Sequence, residues 1–410
     1  MNMYIPRALE PSFKCTIRNN PVSAIIGPKY SGKTAIAKHI CNTTENCCYL
    51  DLEKDTDLAK IDEGMRASTF LRDHMDGYII LDEIHFRPNI FSVMRPLADE
   101  IAHSRDNNFR ITHPARFIVL GSASPTLLKQ TKQSLVGRIS YWRLTNLLVT
   151  EIPNVDMRKY IMRGGFPSSY LATDAEESAA WLKSYINDLL DKNLSQWGNF
   201  SSEAMAQLWE IITYHNGLKT NDTKIIGSFQ NHADEAKAYI QLLKRLYLID
   251  TVGLYSSDPY KLIDMTPKIF IADSGIVLAS MGIQTFEALT SPANATIYDI
   301  IWRSIVLVHL RAWFPDLLEH NIFFYRDKKQ NEIDLILYKN QKLFAIECKT
   351  SPNAYLSSVT YAAMKKLQIP KEHAFIVAPF PSSDGKANAI TLPELRDSLK
   401  FILCPLEDEE

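Results

Sequence analysis

The sequence predicts an α/β protein, and three observations carry that expectation. Short apolar runs without polar alternation, Val22–Ile26, Cys48–Leu52, Tyr78–Leu81 and Phe117–Leu120, are separated by helical stretches such as Asn89–Ala102. Strands buried on both faces of a parallel sheet have this composition, whereas half-exposed strands alternate apolar and polar. The first run leads directly into Gly27-Pro28-Lys29-Tyr30-Ser31-Gly32-Lys33-Thr34, spaced GxxxxGKT, and Ala35–Ile40 continues as a helix. Near the other end, Glu332–Tyr338 and Leu343–Cys348 flank the turn residues Lys339-Asn340-Gln341, and Ala374–Ala378 is a further strand.

The strand–loop–helix order explains the GxxxxGKT spacing. A strand ends, a tight turn aims backbone N–H groups at a polyphosphate, and a helix presents its positive end to the anion. Gly27 and Gly32 permit that path without a Cβ clash. Residues 27–34 are therefore the candidate nucleotide cradle, with Lys33 reaching the β- and γ-phosphates and Thr34 binding Mg²⁺.

The strand Tyr78–Leu81 ends in Asp82-Glu83, two carboxylates at the tip of a buried strand. Asp82 is placed to hold the Mg²⁺ of the nucleotide and Glu83 to orient the attacking water. The next strand ends at Gly121-Ser122, where Ser122 is the candidate for positioning the γ-phosphate or water; an ordinary serine turn is the simpler alternative. Arg138, beyond the following helix, is a candidate arginine finger in cis or in a neighbouring subunit, set against a plain surface arginine. His85 reads as a surface histidine before a nucleotide sensor, and Trp302 as core before a stacking platform.

With 410 residues, 46% hydrophobic and 22% charged, the chain can bury the cores of several domains. The divisions expected are 1–150 for the nucleotide domain, 151–262 for a helical and winged-helix region, and 263–410 for the C-terminal α/β domain. The middle region is suggested by a short helix near Thr223–Gly227, then Ala236, Ile240, Leu243 and Tyr247 at helical spacing, then a hairpin. Ile297, Ile300, Ile301, Ile305 and Val308 mark one helical face in the last part. The formal charge of -2 removes bulk charge as a reason to expect nucleic acid or membrane partners. The six cysteines, Cys15, Cys41, Cys47, Cys48, Cys348 and Cys404, have no CxxC spacing. Reduced thiols are expected, with neither zinc site nor disulfide framework. No apolar run reaches the ~18 residues of a membrane span, and residues 1–10 lack a signal-peptide core. A cytoplasmic protein with a frayed acidic end is expected.

Motif order narrows this further. Ile5-Pro6-Arg7, GPKYSGKT, YIILDEIHFRPNIF, GSASPTLL with the later Gly137-Arg138, RGGFP at 163–167, TPKIFIADSG at 266–275 and EIDLIL…FAIECKT resemble one family. It is the prokaryotic AAA-type ATPases that join an N-terminal ATPase to a C-terminal domain of largely unknown function. The resemblance spans nearly the whole chain. It implies ATP rather than GTP, held by Lys33, Thr34 and Asp82 and hydrolysed through Glu83. It also implies a winged helix after the ATPase and a restriction-endonuclease-like C-terminal fold.

Asp334 and, on the next strand, Glu347-Cys348-Lys349 match the D…ExK core of PD-(D/E)xK nucleases. Adjacent strands would let Asp334 and Glu347 face one Mg²⁺, with Lys349 on the same side. Family members carry a glutamate on the preceding helix, where this chain has Arg303, with Asp299 nearby; an arginine cannot ligate Mg²⁺. Residues 220–262 balance five Lys/Arg against five Asp/Glu, without the basic excess of a DNA-docking element. Two functions follow. One is an ATPase whose nucleotide state controls a nuclease-like, DNA-binding module. The other is a nucleotide-dependent switch for a protein partner, built on a degenerate nuclease fold. Oligomeric state stays open.

Overall fold

The computed structural model describes residues 4–17, 19–62, 64–106, 116–122, 135–192, 194, 197–217, 233–256, 267–314, 321–381 and 388–403. The short helix expected at Thr223–Gly227, Cys404 and the acidic end fall outside them. The chain divides into two compact units, Met1–Leu147 with Arg245–Tyr247, and the remainder.

In the first unit β1 (Val22–Ile26), β2 (Cys47–Asp51), β3 (Tyr78–Asp82), β4 (Arg116–Gly121) and β5 (Ile139–Arg143) form one sheet in the order β2-β3-β4-β1-β5. Every neighbouring pair is parallel. Alternate residues leave opposite faces, and both faces are covered. Ala24, Ile79, Leu81, Phe117 and Val119 pack under helices α4 (Gly64–Asp73) and α5 (Ile90–Asp106). Ile25, Ile80, Ile118 and Leu120 pack under α1 (Glu10–Ile17) and α2 (Lys33–Asn42). A one-turn helix, α3 (Asp55–Leu58), follows β2. Double burial is why β1, β3 and β4 read as mainly apolar runs without strict alternation. The edge strand β5 is only half-buried, and its sequence Ile139-Ser140-Tyr141-Trp142-Arg143 did not announce a strand.

One expectation fails here. Cys41, near the end of α2, and Cys47, opening β2, form a disulfide across a Cα–Cα distance of 5.2 Å. The short turn between helix and strand brings the two together, a proximity that CxxC spacing does not capture.

In the second unit the described strands form a mixed sheet, ordered β12-β11-β10-β9-β8-β6-β7. They are β6 (Ile249–Leu254), β7 (Lys268–Ile271), β8 (Ile322–Arg326), β9 (Glu332–Lys339), β10 (Lys342–Cys348), β11 (Ala374–Val377) and β12 (Ala389–Ile390). The turn between β9 and β10 uses Asn340 and Gln341 at φ of 51° and 61°, the left-handed pair a two-residue hairpin needs. Strand β6 pairs antiparallel with β7 and parallel with β8, so residues on both sides of position 262 share one sheet.

Two sequence motifs meet in this unit. Asp273 caps helix Ser274–Met281 by accepting from the Ile276 N–H, and its other oxygen accepts from the Gly165 N–H at 2.9 Å. Gly164 has φ +72°, and a Cβ there would lie 2.0 Å from the Asp273 carboxylate. The RGGFP and ADSG segments are thus one interlocked turn. The long helix Ala295–Trp313 is embedded more fully than one stripe: Ile301 and Ile305 are buried, but so are Tyr298, Trp302, Ser304, Val306, Leu307, His309 and Leu310. Ile297, Ile300 and Val308 of the expected face are only partly covered. Among the described residues no helix is long and apolar enough to cross a membrane.

Candidate functional site

The sheet order explains the first site. Strand β4 lies between β1 and β3, and all three end at the same edge. That edge brings together the loop 27–34 after β1, Asp82-Glu83 at the end of β3, and Ser122 just past β4. Gly32 adopts φ +101° as the N-cap of α2 and offers no side-chain cap, leaving the helix's first N–H groups free for an anion. Gly27 is needed for a different reason: a Cβ there would stand 2.1 Å from the Leu144 carbonyl oxygen. Tyr30 is exposed with φ 64°, and Lys29 Nζ lies 5.3 Å from its ring centroid.

Lys33 is buried, and its ammonium donates to the carbonyls of Gly27 (3.1 Å) and Pro28 (2.7 Å). Burial pulls its pKa down to about 8, although Glu83 and Asp82 work against the shift. Thr34 Oγ1 donates to Asp82 Oδ2 at 2.7 Å, so the hydroxyl and carboxylate named for Mg²⁺ touch. The other Asp82 oxygen accepts from the Glu83 N–H at 2.9 Å. Glu83 itself has φ 51°, a left-handed turn that ends the strand and begins the short helix Ile84–Phe86. Its Oε2 lies 3.1 Å from His85 Nδ1 without hydrogen-bond alignment. Burial alone would raise the Glu83 carboxyl, but His85, Lys33 and Lys29 outweigh it and hold it below the usual range. Glu83 is therefore ionised at neutral pH.

Three further residues contribute, two of them not legible as site residues and the third, His85, set aside as a surface histidine. Tyr49 on β2 donates to Asp82 Oδ2 at 2.8 Å; burial first and then Asp82 raise its phenol strongly. Arg7, buried, donates to the carbonyls of Ser31, Thr145 and Asn146, and so fixes the loop from below. His85 was read as a surface histidine but is partly buried against Glu83. The Ile5-Pro6-Arg7 resemblance pointed toward Arg7, and His85 had been weighed as a nucleotide sensor; nothing in the sequence pointed toward Tyr49.

Arg138 is elsewhere. The Val22 N–H donates to the Arg138 carbonyl, at the beginning of β1. That is four strand steps, about 13 Å, from the phosphate loop. Its guanidinium pairs with Asp99. The cis arginine finger is therefore excluded for the loop of its own chain.

A nucleotide fits the cradle. Ser31 Oγ is fully buried within the loop and has no hydrogen-bond partner, so the loop holds an unmet polar group where phosphate oxygens would lie. Mg²⁺ would be held by Thr34 and Asp82 and would neutralise charge on the phosphates.

The second cluster is built on β9 and β10. The register pairing Ile346 with Leu335 sets Glu347 opposite Asp334 on one face. Both carboxylates are buried. Asp334 Oδ2 accepts from the Cys348 N–H (3.0 Å) and Glu347 Oε1 from the Asp334 N–H (3.3 Å). Lys349 Nζ lies 2.9 Å from Glu347 Oε2, and Arg303 Nη2 lies 2.6 Å from Asp334 Oδ1. Burial and Asp334 push Glu347 up to about 7, against the pull of Lys349. Asp299 accepts from Thr350 Oγ1 at 2.8 Å and stays off the pair. Trp302 is core, donating to the Val377 carbonyl at 2.8 Å. The three residues named from the D…ExK pattern lie together, and each carboxylate is paired with a cation, Glu347 with Lys349 and Asp334 with Arg303.

A parallel sheet with GxxxxGKT after β1 and Asp82-Glu83 at the tip of β3 defines a P-loop nucleotide site, and residues 19–153 match the AAA domain family. The first unit is an AAA-type ATPase domain. Residues 154–287 and 299–395 match two domains of unknown function, DUF8612 and DUF4143. An uncharacterised protein of Mycobacterium tuberculosis, Rv2008c, is 27% identical over 363 residues, covering 87% of this chain and 78% of its own length. Mb2031c of Mycobacterium bovis, also uncharacterised, matches equally. The Walker-type ATPase PABY2304 of Pyrococcus abyssi superposes with a TM-score of 0.46 at 11% identity, over 68% of this chain and 96% of that one. The Aeropyrum pernix ORC2 protein in ADPNP–ADP complexes gives 0.36 at 13% identity, over 69% and 96%.

Proposed function

We propose that the protein binds and hydrolyses Mg-ATP at residues 27–34 with Asp82 and Glu83, and that its nucleotide state switches a C-terminal module that binds a partner rather than cutting it. The observation that carries the first half is the contact of Thr34 with Asp82 beside an ionised Glu83. Backbone N–H groups of the loop and Lys33 would neutralise the β- and γ-phosphates, exchanging loop carbonyls for phosphate oxygens. Glu83 would accept a hydrogen bond from the attacking water and aim it in line at the γ-phosphorus. The bond to the bridging oxygen then breaks, releasing ADP and phosphate. Ser122, at the tip between the two strands, would position the γ-phosphate. Tyr49 orients Asp82.

The second half rests on Arg303 at 2.6 Å from Asp334, where a hydrolytic metal would be needed. The cleft beside it is lined by Lys268, Arg303, Arg326 and Lys349 against Asp299, Glu332, Asp334 and Glu347, a balanced set without the basic excess of a phosphate-tracking groove. Tyr355, Val359 and Tyr361 are exposed on and just before helix Ser358–Leu367, which suits a protein partner. Mg-ATP turnover of the wild type against Lys33→Ala tests the first half. Turnover should fall at least about a hundredfold in the variant; equal rates would reject it. Incubation with plasmid and single-stranded DNA in Mg²⁺ or Mn²⁺ tests the second half. Intact DNA and no salt-sensitive mobility shift are expected; cleavage lost in Asp334→Ala would restore the nuclease reading.

A further inference from the structure

We propose that Arg303 is a built-in cation closing a latent divalent-metal site formed by Asp334 and Glu347. This deepens the non-cleaving reading of the C-terminal module and rests on it. Each carboxylate divides its oxygens in the same way. One oxygen accepts from a backbone N–H across the β9–β10 ladder, which fixes the group's orientation. The other, Asp334 Oδ1 or Glu347 Oε2, meets a side-chain cation. Both carboxylates line a cleft of about 360 Å³. Two preoriented hard oxygens on a polar cleft are a donor pair for Mg²⁺ or Mn²⁺.

A buried anion pair needs a counter-charge, and the chain supplies it itself. The two cations are not equivalent. Lys349 is a third exposed at its side chain and sits on a flexible stem at the cleft mouth. Arg303 is half as exposed. Its helix is tied down in the turn leading into it by Trp302 donating to the Val377 carbonyl and by Asp299 accepting from Thr350. Arg303 Nε is buried without a hydrogen-bond partner, so the guanidinium is committed to Asp334 at the expense of its own bonding. A guanidinium cancels charge but offers no coordination position to water or phosphate, so the pair is neutralised without becoming a Lewis-acid centre. Among the described residues no group of three or more His, Cys, Asp or Glu is arranged for a metal. Two donors are present, and Arg303 stands where a third would complete the set.

The test is Mn²⁺ binding to the full chain without nucleotide, followed by titration calorimetry and by the spin-resonance signal of free Mn²⁺. Wild type and Asp334→Asn should give the same isotherm, because the pair takes no metal while Arg303 is present. Arg303→Glu should gain one site, at least about tenfold tighter than any in the wild type, and the double variant Arg303→Glu/Asp334→Asn should lose it. Arg303→Glu should also melt lower than wild type in EDTA and recover in Mn²⁺. An Asp334-dependent Mn²⁺ site in the wild type overturns the proposal, as does a folded Arg303→Glu that gains no site. If Arg303→Glu folds only with Mn²⁺ present, that supports it. If Arg303→Glu folds under neither condition, Arg303→Gln is titrated, and a folded Arg303→Gln binding no more Mn²⁺ than wild type overturns it. DNA cleavage is scored separately, so a protein that cuts without metal at this pair sinks the non-cleaving reading and leaves the plug standing.

Discussion

A methyl group at Gly27 would press on the Leu144 carbonyl oxygen at 2.1 Å, and that oxygen is backbone held by the Leu144 N–H bond to Ile26. Nothing there can rotate away. Gly27→Ala should therefore displace the loop and weaken ATP binding by at least about tenfold. Gly64→Ala, where nothing lies within 4 Å of the added atom, should leave binding unchanged. Equilibrium binding of a fluorescent ATP analogue compares the two; equal affinities would show that the close approach is unimportant. The glycine, lysine and threonine of this loop were legible because their chemistry dictates a fixed local spacing. Tyr49 and Arg7 were not, because each acts on a residue brought near by the sheet order or the N-terminal fold; His85 neighbours Glu83 in sequence, and only its partial burial against that carboxylate was missed. Arg138 shows the converse. Its distance along the chain suited a finger, and only the register of β5 against β1 puts it at the wrong end.

At the scale of single elements, helix Ala295–Trp313 is fixed at one end by His309. The Val149 N–H donates to His309 Nε2 at 2.9 Å, and His309 Nδ1 lies 2.7 Å from the Ile305 carbonyl. This arrangement requires the neutral ring with its proton on Nδ1. Complete burial drives its pKa down to about 4 from the ordinary 6.5, although the Ile305 carbonyl opposes the shift. The folded state then binds the proton less well than the unfolded one. Its stabilising contribution is complete above about pH 6.5 and is lost as pH falls toward 4, by about 3 kcal/mol. Urea unfolding of wild type and His309→Gln from pH 7.5 to 4.5 checks this. The wild type should lose more stability than the variant, and parallel losses would contradict it. Strands buried on both faces were readable from composition alone. The half-buried β5 was not, and the Cys41–Cys47 pair was missed because helix-to-strand proximity is a property of the turn, not of cysteine spacing. The long helix was visible as a helix, but its burial beyond one face reflects packing from more than one side that one apolar stripe does not encode.

At the scale of the molecule, the chain joins a nucleotide-handling unit to a unit whose mixed sheet carries a self-neutralised carboxylate pair. The division expected near residue 150 rests on a change of sequence pattern; the long segment of the first compact unit ends at Leu147. A boundary at 262 is harder to maintain, since β6 pairs with β8 across it. Sheet pairing between distant segments leaves no local trace in composition. Both units have acidic residues at strand tips or on strand pairs. In the first they stand beside an unmet serine and a phosphate loop; in the second they are already paired. This contrast makes the first unit the place where chemistry is expected. The most direct measurement is ATP binding and single-turnover hydrolysis by Glu83→Gln beside the wild type. The variant should bind Mg-ATP within about threefold of wild type and hydrolyse it at least about a hundredfold more slowly. Hydrolysis at the wild-type rate by Glu83→Gln would contradict the assignment of Asp82 and Glu83 to a hydrolytic site.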